Sequence, residues 1–531
     1  MTRTLTARLR SRARTLPQRA CAVAVAAVSA VGAPVVLTAG GGEAPAPVAA
    51  SAETIPLRGV DRAALADAPS IPAAERASAA GSASAGTRFE QVGDRDLSRT
   101  VAATDERATE PFRVVGVSWR GHRDDLAVFV RTRSESGWGR WEALTTDADH
   151  GPDPDSAEGA RARGGTDPLI VDESTAVQVR VDDLPGGGVG APAGMRLSLI
   201  DPKDVPADDD AGRVPTAPAL GSAQAAAARP TALTRAQWGA DESIRRGEPE
   251  YGTIRAGFVH HTVNSNGYAK DDVPALIRGI YRFHVLDRGW NDIGYNFLVD
   301  RFGRIWEGRY GGVTQPVIGA HTHGYNSQAF AMASIGDHTT SSPSNATLLA
   351  YKRLYAWKLG LHHVDPAGRV AMSDGAATRW FSTISGHRDA NQTGCPGAAL
   401  QRRLPEIRSG ARYRQKAMFW TPSLTASRWT YGTLGPRLNA KVQGYIRYRL
   451  EVTHPCGGLV RYTSGYASAA NPIRTGWTGR LFDGSWAPPG YYTLRLTAVD
   501  RTGKSPAPAA WTRRVWVRST PTSPPSFCEQ Q

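Results

Sequence analysis

Nine of the twelve histidines, His260, His261, His284, His321, His323, His338, His362, His363 and His387, fall between residues 230 and 410, and Cys395 joins them there. Imidazole nitrogen and thiolate sulfur are donors that zinc prefers, and a hydrolytic zinc needs three protein ligands with one position left open. Such ligands come from strand ends and rigid turns, because a coordination tetrahedron tolerates little positional slack. Cys395 is the strongest single candidate. It stands immediately before a helix predicted to begin at Pro396, and a helix N-terminus favours the thiolate, the form that binds metal. A thiol buried only for packing would have more apolar neighbours than Gln392, Thr393, Gly394 and Gly397. His387 follows the predicted strand Ile384-Ser385-Gly386, and the loop from there to Cys395 is long enough to fold both donors onto one ion. His260 closes another strand. Spacing alone does not choose His260 over His261, His321 or His323.

The elements that must position these groups are strands mixed with helices. A strand ends in Ala256-Gly257-Phe258-Val259-His260, and a helix follows whose Leu276, Ile280 and Phe283 recur at helical spacing. A hairpin is predicted with arms 295–299 and 304–307 around Asp300-Arg301-Phe302-Gly303. Ser342-Pro343 offers a cap and first-turn proline for a helix carrying Leu348, Leu349, Leu354 and Tyr355 and stopping at Gly360, and a last helix is expected over 396–408. Residues 230–410 therefore read as an α/β domain with a mixed sheet.

The flanking blocks differ in kind. Residues 90–201 alternate in the strand period, as in Leu126-Ala127-Val128-Phe129-Val130-Arg131, and suggest an all-β, sandwich-like domain. Its Trp138 and Trp141 match a pair that caps a β core better than a sugar platform. Residues 415–518 are also all-β in pattern, and the stretch from Phe482 to Tyr492 looks like that of immunoglobulin-like modules appended to secreted bacterial enzymes. Stretches 51–89 and 202–229, rich in Ala, Ser, Pro and Gly, read as linkers, and 519–531 as a tail. Residues 1–50 read as a secretory signal peptide, basic to residue 19 and then apolar from Ala20 to Val28. The mature protein is then expected outside the cytoplasm, with no membrane span. Export removes Cys21 and leaves Cys395, Cys456 and Cys528; Cys456 and Cys528 are expected to pair, since both lie in the C-terminal part. The formal charge is +14, from 63 basic against 49 acidic residues, and only seven of the basic residues are lysine. That surplus matches an arginine-rich coding bias and gives no support to a nucleic-acid partner.

Taken together, Thr234-Arg235-Ala236-Gln237-Trp238-Gly239, Val259-His260-His261-Thr262, Gly289-Trp290-Asn291-Asp292-Ile293-Gly294-Tyr295-Asn296-Phe297, Glu307-Gly308-Arg309, Gly319-Ala320-His321 and Gly386-His387-Arg388-Asp389-Ala390-Asn391-Gln392-Thr393-Gly394-Cys395-Pro396 occur in a specific order across about 170 residues. In these stretches the sequence resembles the type 2 N-acetylmuramoyl-L-alanine amidases, the family shared with peptidoglycan recognition proteins, in what looks like an actinobacterial secreted form. The resemblance covers about a third of the chain.

The resemblance implies zinc held by His260, His387 and Cys395, a catalytic Tyr295 with Thr393 at its partner position, where phage members carry lysine, and peptidoglycan as substrate. His261 and His284 fall where recognition-type members contact the muramyl peptide, and His321 is a further candidate substrate contact. The implied reaction is zinc-dependent hydrolysis of the amide joining N-acetylmuramic acid to L-alanine; the alternative is a non-catalytic peptidoglycan-binding protein. Non-catalytic members replace the zinc cysteine, commonly with serine, and this chain keeps it. One departure stands out: family members usually have Gly-Ile in the strand after the Gly-Ala-His segment, where this chain reads Ala329-Phe330-Ala331-Met332-Ala333-Ser334-Ile335-Gly336. That change is expected to reshape the groove wall and leave the zinc set untouched.

Overall fold

The computed structural model describes residues 47–61, 65, 68–73, 75–76, 97–203 except 124, 147–148 and 185–189, 227–501 except 431, 432 and 434, and 503 with 510–520. Most of the expected leader and Cys528 lie outside the described residues.

The N-terminal region is a nine-stranded sheet built from β1 (Ser51–Pro56), β2 (Thr100–Ala103), β3 (Arg107–Trp119), β4 (Leu126–Ser134), β5 (Gly137–Trp138), β6 (Glu142–Leu144), β7 (Gly164–Gly165), β8 (Leu169–Asp183) and β9 (Arg196–Asp201). Its path runs β1-β9-β3-β8-β4-β5, with β2 on β8, β6 on β4 and β7 on β3. One face alternates Val115, Val117 and Trp119 with Val177, Val179 and Val181 into a buried core. The sandwich-like pattern thus takes the form of one continuous hydrogen-bonded sheet. Residues 51–56, expected as linker, are a strand: Ser51 pairs with Asp201 and Ile55 with Leu197, antiparallel. Two apolar side chains, Ile55 and Leu57, bury against the sheet; their Ala- and Ser-rich surroundings hide that pattern in the sequence. Trp141 is buried with Ile71, Phe129 and Leu184, and the Arg131 guanidinium lies 4.6 Å from the Trp138 ring centre and 5.6 Å from that of Trp141. The pair caps a β core, as expected.

The middle region has a six-stranded mixed sheet. Its strands are β10 (Ala232–Leu233), β11 (Ala256–His261), β12 (Phe297–Val299), β13 (Ile305–Glu307), β14 (Ala329–Ser334) and β17 (Ile384–Gly386), in the order β10-β13-β12-β14-β11-β17. A separate hairpin is formed by β15 (Arg369–Ser373) and β16 (Thr378–Ser382). β11 runs parallel to β14 on one side and to β17 on the other, and β12 and β13 form the expected antiparallel hairpin. All six residues of β11 and of β14 are buried, as a strand covered on both faces requires. The departure from the usual Gly-Ile pattern falls within β14, where Met332 and Ala333 belong to cores on opposite faces.

Helices cover both faces. On one lies α1 (Val273–Arg282), continued by a π turn (Phe283–Asp287). On the other lie α2 (Asn345–Leu361) and, after the short α3 (Ala398–Gln401), α4 (Leu404–Arg414). The cap of α2 is Ser344, whose hydroxyl accepts the Thr347 N–H at 3.0 Å, so the helix starts two residues after the expected Ser342-Pro343 signal. The helix expected over 396–408 is two helices, and neither begins at Pro396. Support for a Cys395 thiolate from a long helix N-terminus is therefore withdrawn.

The C-terminal region is all-β. Strands β18 (Met418–Leu424), β20 (Arg437–Gln443) and β23 (Ile473–Gly476) form one sheet. A second contains β19 (Arg428–Thr430), β21 (Tyr445–Thr453), β22 (Leu459–Ser468), β24 (Gly490–Val499) and β25 (Trp511–Arg518). One core, with Trp420, Trp429, Trp477 and Tyr492, lies between them. Cys456 is disulfide-bonded, whereas Cys395 is in no disulfide. Among the described residues, no helix is long and apolar enough to cross a membrane.

The N-terminal sheet is docked on the middle region through a shared apolar cluster. Val114, Ile170 and Ile200 pack with Leu276, Ile277, Ile280 and Phe283. Close approach is set by glycine: a Cβ on Gly279 would lie 2.5 Å from Val114 Cγ2, and one on Gly116 would lie 2.3 Å from the Phe283 ring. Polar contacts surround the cluster. Ser198 donates to Asp287 Oδ1 at 2.5 Å, and Arg288 donates to the carbonyls of Arg163 and Thr166, each at 3.0 Å.

Candidate metal centre

Register brings the first two donors together. Val259 of β11 pairs with Gly386 of β17 in parallel, so His260 and His387 come next to each other where the two strands end. Their ring centres are 4.6 Å apart. The carboxyl ends of parallel strands are where α/β sheets hold ligands, because the loops that follow can converge there. The third donor returns through the loop after β17. Arg388 N–H donates to the Cys395 carbonyl at 2.9 Å, which closes the loop and brings Cys395 Sγ to 3.5 Å from His260 Nδ1. One donor atom from each of His260, His387 and Cys395 lies within 4.8 Å of the others. Both histidines are buried; Cys395 is partly exposed.

The outer nitrogens of both rings are engaged. His260 Nε2 lies 3.2 Å from Thr322 Oγ1, and His387 Nε2 lies 3.3 Å from the carbonyl oxygen of Asp149. A carbonyl only accepts, so His387 carries its proton on Nε2 and presents the Nδ1 lone pair inward. A metal-binding histidine is ordinarily oriented in this way by an outer partner. Burial, the largest cause, holds His260, His284 and His321 well below the usual imidazole range, with neighbouring imidazoles and arginines adding to it. The rings are then neutral, the form that ligates. Two nitrogens, one sulfur, neutral imidazoles and a fixed tautomer fit a zinc ion.

The other candidate residues divide into two groups. Tyr295 is buried, its ring centre 5.6 Å from that of His260 and 6.0 Å from that of His284. His321 lies 5.5 Å from His260, ring centre to ring centre, and His284 stacks at 4.3 Å on Trp290. Thr393 Oγ1 accepts the Cys395 N–H at 3.1 Å and so holds the turn that presents the sulfur. His261 goes elsewhere. Alternation along β11 turns it to the opposite face from His260, where its Nδ1 accepts the His338 N–H at 3.1 Å and stands 3.5 Å from Asp337. Burial lowers its pKa to about 4, against the pull of Asp337.

Sequence reasoning missed two residues here, and both come from the N-terminal region. Asp149 supplies the carbonyl on His387. His150 lies with its ring centre 5.1 Å from Tyr295, 5.7 Å from His284, 6.0 Å from His260 and 6.2 Å from His387. Its Nδ1 lies 2.8 Å from Asp167 Oδ1. No local pattern around Asp149-His150-Gly151-Pro152 marks them.

A mixed sheet carrying two histidines at parallel strand ends and a cysteine on the following loop defines a class, and the comparisons agree with it: the chain belongs to the N-acetylmuramoyl-L-alanine amidase family that includes the peptidoglycan-recognition proteins. The family model described as N-acetylmuramoyl-L-alanine amidase matches residues 250–398, and one described as Rv3811 N-terminal galactose-binding domain-like matches residues 64–219. The N-acetylmuramoyl-L-alanine amidase of Sus scrofa is 34% identical over 175 residues, covering 32% of this chain and 26% of that protein. Peptidoglycan-recognition protein LB of Drosophila melanogaster is 34% identical over 171 residues, covering 32% of this chain and 65% of that one. The chain thus spans about a quarter and about two thirds of these curated relatives. Among solved structures, wild-type Drosophila PGRP-LB is 32% identical, with 33% of this chain and 92% of that chain covered and a TM-score of 0.27. Peptidoglycan recognition protein LE in complex with tracheal cytotoxin is 28% identical, with 33% and 92% covered and a TM-score of 0.28.

Proposed function

We propose that the chain is a zinc-dependent N-acetylmuramoyl-L-alanine amidase, cutting the amide between the lactyl carbonyl of N-acetylmuramic acid and the amine of L-alanine in peptidoglycan. The observation that carries this reading is the convergence of His260, His387 and Cys395 donors within 4.8 Å at the ends of parallel strands. Zinc bound there supplies activation of water near neutral pH and polarisation of the scissile carbonyl. The chain's own residues do the rest. Thr322 and the Asp149 carbonyl fix the two imidazoles, and Thr393 fixes the turn of Cys395. Tyr295, beside His260, carries a hydroxyl donor, which suits it to stabilising the oxyanion that develops on the lactyl carbonyl. His284 and His321, buried at the same site, line the approach to it.

Retention of the thiol favours hydrolysis over recognition alone. The test is a long digest of purified cell wall at high protein concentration, read by mass spectrometry with and without chelator. Free stem peptides beginning at L-alanine are expected, lost with chelator and restored by zinc. Cleavage between amino acids would make the chain an endopeptidase, and a zinc-loaded chain that binds wall and releases nothing, whether wild type or His150→Ala, would make it a recognition protein.

The same reading places the enzyme outside the cytoplasm after removal of a leader within residues 1–50, held on the wall non-covalently if at all. It gives residues 415–518 an immunoglobulin-like fold and pairs Cys456 with Cys528. N-terminal sequencing of exported material and non-reducing peptide mapping check these points.

A further inference from the structure

The N-terminal region does more than flank the site. Residues 149–153 lie over the metal donors. The Asp149 carbonyl takes the His387 Nε2–H at 3.3 Å and the His323 N–H at 3.1 Å. Gly151 sits against the Trp290 indole, close enough that a Cβ there would be 3.3 Å from Cζ2, and its carbonyl accepts from Asn326 Nδ2 at 2.9 Å. Asp153 Oδ1 accepts from the Gly324 N–H and from Asn326 Nδ2, each at 2.7 Å. Further along, Glu158 forms a buried two-point pair with Arg309, at 2.6 and 3.0 Å.

Between these anchors, His150 is 3% exposed. Asp167 engages its Nδ1, and its Nε2 is buried with no hydrogen-bond partner. A carboxylate behind one nitrogen, with the other left without a partner, is the arrangement of a histidine made ready for a metal. Two imidazoles on one ion, each about 2 Å from it, have ring centres about 5 Å apart. His150 stands 6.0 and 6.2 Å from His260 and His387, about 1 Å beyond that spacing, and its ring packs on Tyr295 and His284 beside the metal donors.

We propose that residues 149–153 are an intramolecular plug, with His150 as the group that closes the open corner of the metal set, so that the chain as folded is latent. This rests on the amidase reading for the reaction that is held back. Peptidoglycan is a polymer, and its amide reaches the donors only when this segment withdraws. The loose end of the device is the segment itself: the apolar cluster around Val114 and Ile280 keeps the N-terminal sheet docked, while 149–153 is held by hydrogen bonds that wall contacts can replace.

The test uses the full chain, His150→Ala, and Glu158→Gln, which loosens the clamp without touching a neighbour of the metal donors. Each is loaded with cobalt, whose visible absorption reports its ligands, and titrated with azide. The wild-type spectrum should stay unchanged, and that of H150A should shift as azide takes the open corner. In wall digests, both variants should release stem peptides at least 10-fold faster than wild type. A wild-type spectrum that responds to azide as H150A does overturns the plug, and so does wild-type protein that releases stem peptides as fast as metal-loaded H150A does. Should H150A misfold, E158Q carries the rate comparison alone, and equal rates overturn the proposal. Failure of the amidase reading looks different: cobalt-loaded H150A responds to azide and wild type does not, yet neither releases stem peptides. That result keeps the closure and removes the reaction.

Discussion

Replacing Glu158 with Gln strands a buried guanidinium. Arg309 is 7% exposed, and its two terminal nitrogens bind both carboxylate oxygens of Glu158, at 2.6 and 3.0 Å. Its remaining partners, the carbonyls of Ile293 at 3.0 Å and Ile318 at 3.1 Å, are neutral. Glutamine keeps one acceptor, enough for the Asn291 N–H that Glu158 now accepts at 2.8 Å, and turns an N–H towards Arg309. Removing one partner of a buried pair costs about 3–5 kcal/mol. Asp292 also favours the Arg309 charge, so the loss falls near the lower end, about 3 kcal/mol. For a region of this size that is a fall of about 6–12 °C in Tm. The assay is thermal and urea unfolding followed by tryptophan fluorescence for E158Q, R309M and the double variant. The double variant should return to within about 1 kcal/mol of wild type, because no charge is then left without a partner. If E158Q costs under about 1 kcal/mol and the two changes simply add, the pair is solvated and the docking of the N-terminal sheet is wrong.

Other outcomes follow from the same contacts. Cys395→Ser should weaken zinc retention in equilibrium dialysis by at least ~10-fold with little change in circular dichroism; unchanged retention removes the thiol from the ligand set. Gly279→Ala gains about 1 kcal/mol of helix propensity but drives a methyl to 2.5 Å from Val114 Cγ2, and overpacking of about 1–3 kcal/mol wins. The variant should melt lower than wild type and recover when Val114→Ala is added, and a higher melting point would show that the interface gives way freely. His362 and His363 are each lowered to about 4, by burial first. The unfolded chain takes up their protons near pH 6.5 and the folded one does not, so their contribution is intact above that pH. It is lost as pH falls towards 4, by up to about 3 kcal/mol per residue. Urea midpoints at pH 7 and pH 5 measure the loss, and His362→Gln should flatten the slope; an unaltered slope would mean that this ring is not the buried, neutral group described here.

Much of the middle fold was legible because its signals are local. The run from Ala256 to His261 is a strand covered on both faces, the Asp300 to Gly303 turn closes a hairpin, and Leu276, Ile280 and Phe283 mark α1 and the turn that continues it. Ends were harder to place. Ser342-Pro343 and Ser344 are both reasonable helix starts, and the choice belongs to Ser344 because its hydroxyl also donates to the Arg301 carbonyl at 2.6 Å, a contact across 43 positions. Strand β1 was hidden for a related reason: a stretch with little apolar patterning becomes a strand only because β9, some 145 positions away, offers an edge.

The site shows the same division more sharply. Local chemistry singled out Cys395 and marked His387 as a donor within reach of it, but no spacing rule separated His260 from His261. The separation is made by strand alternation once β17 lies beside β11, and pairing Val259 with Gly386 leaves only His260 facing His387. A one-residue slip would exchange the two histidines and dismantle the donor set, so the metal centre depends on β register rather than on the presence of histidines. His150 and Asp149 lie further still beyond what a sequence shows. They are more than 100 positions from any metal donor, in a region with its own core, and reach the site only because Gly116 and Gly279 let a sheet and a helix approach closely enough to dock one region on the other. Whatever disturbs that docking should therefore alter the metal site's outer partners and its access together.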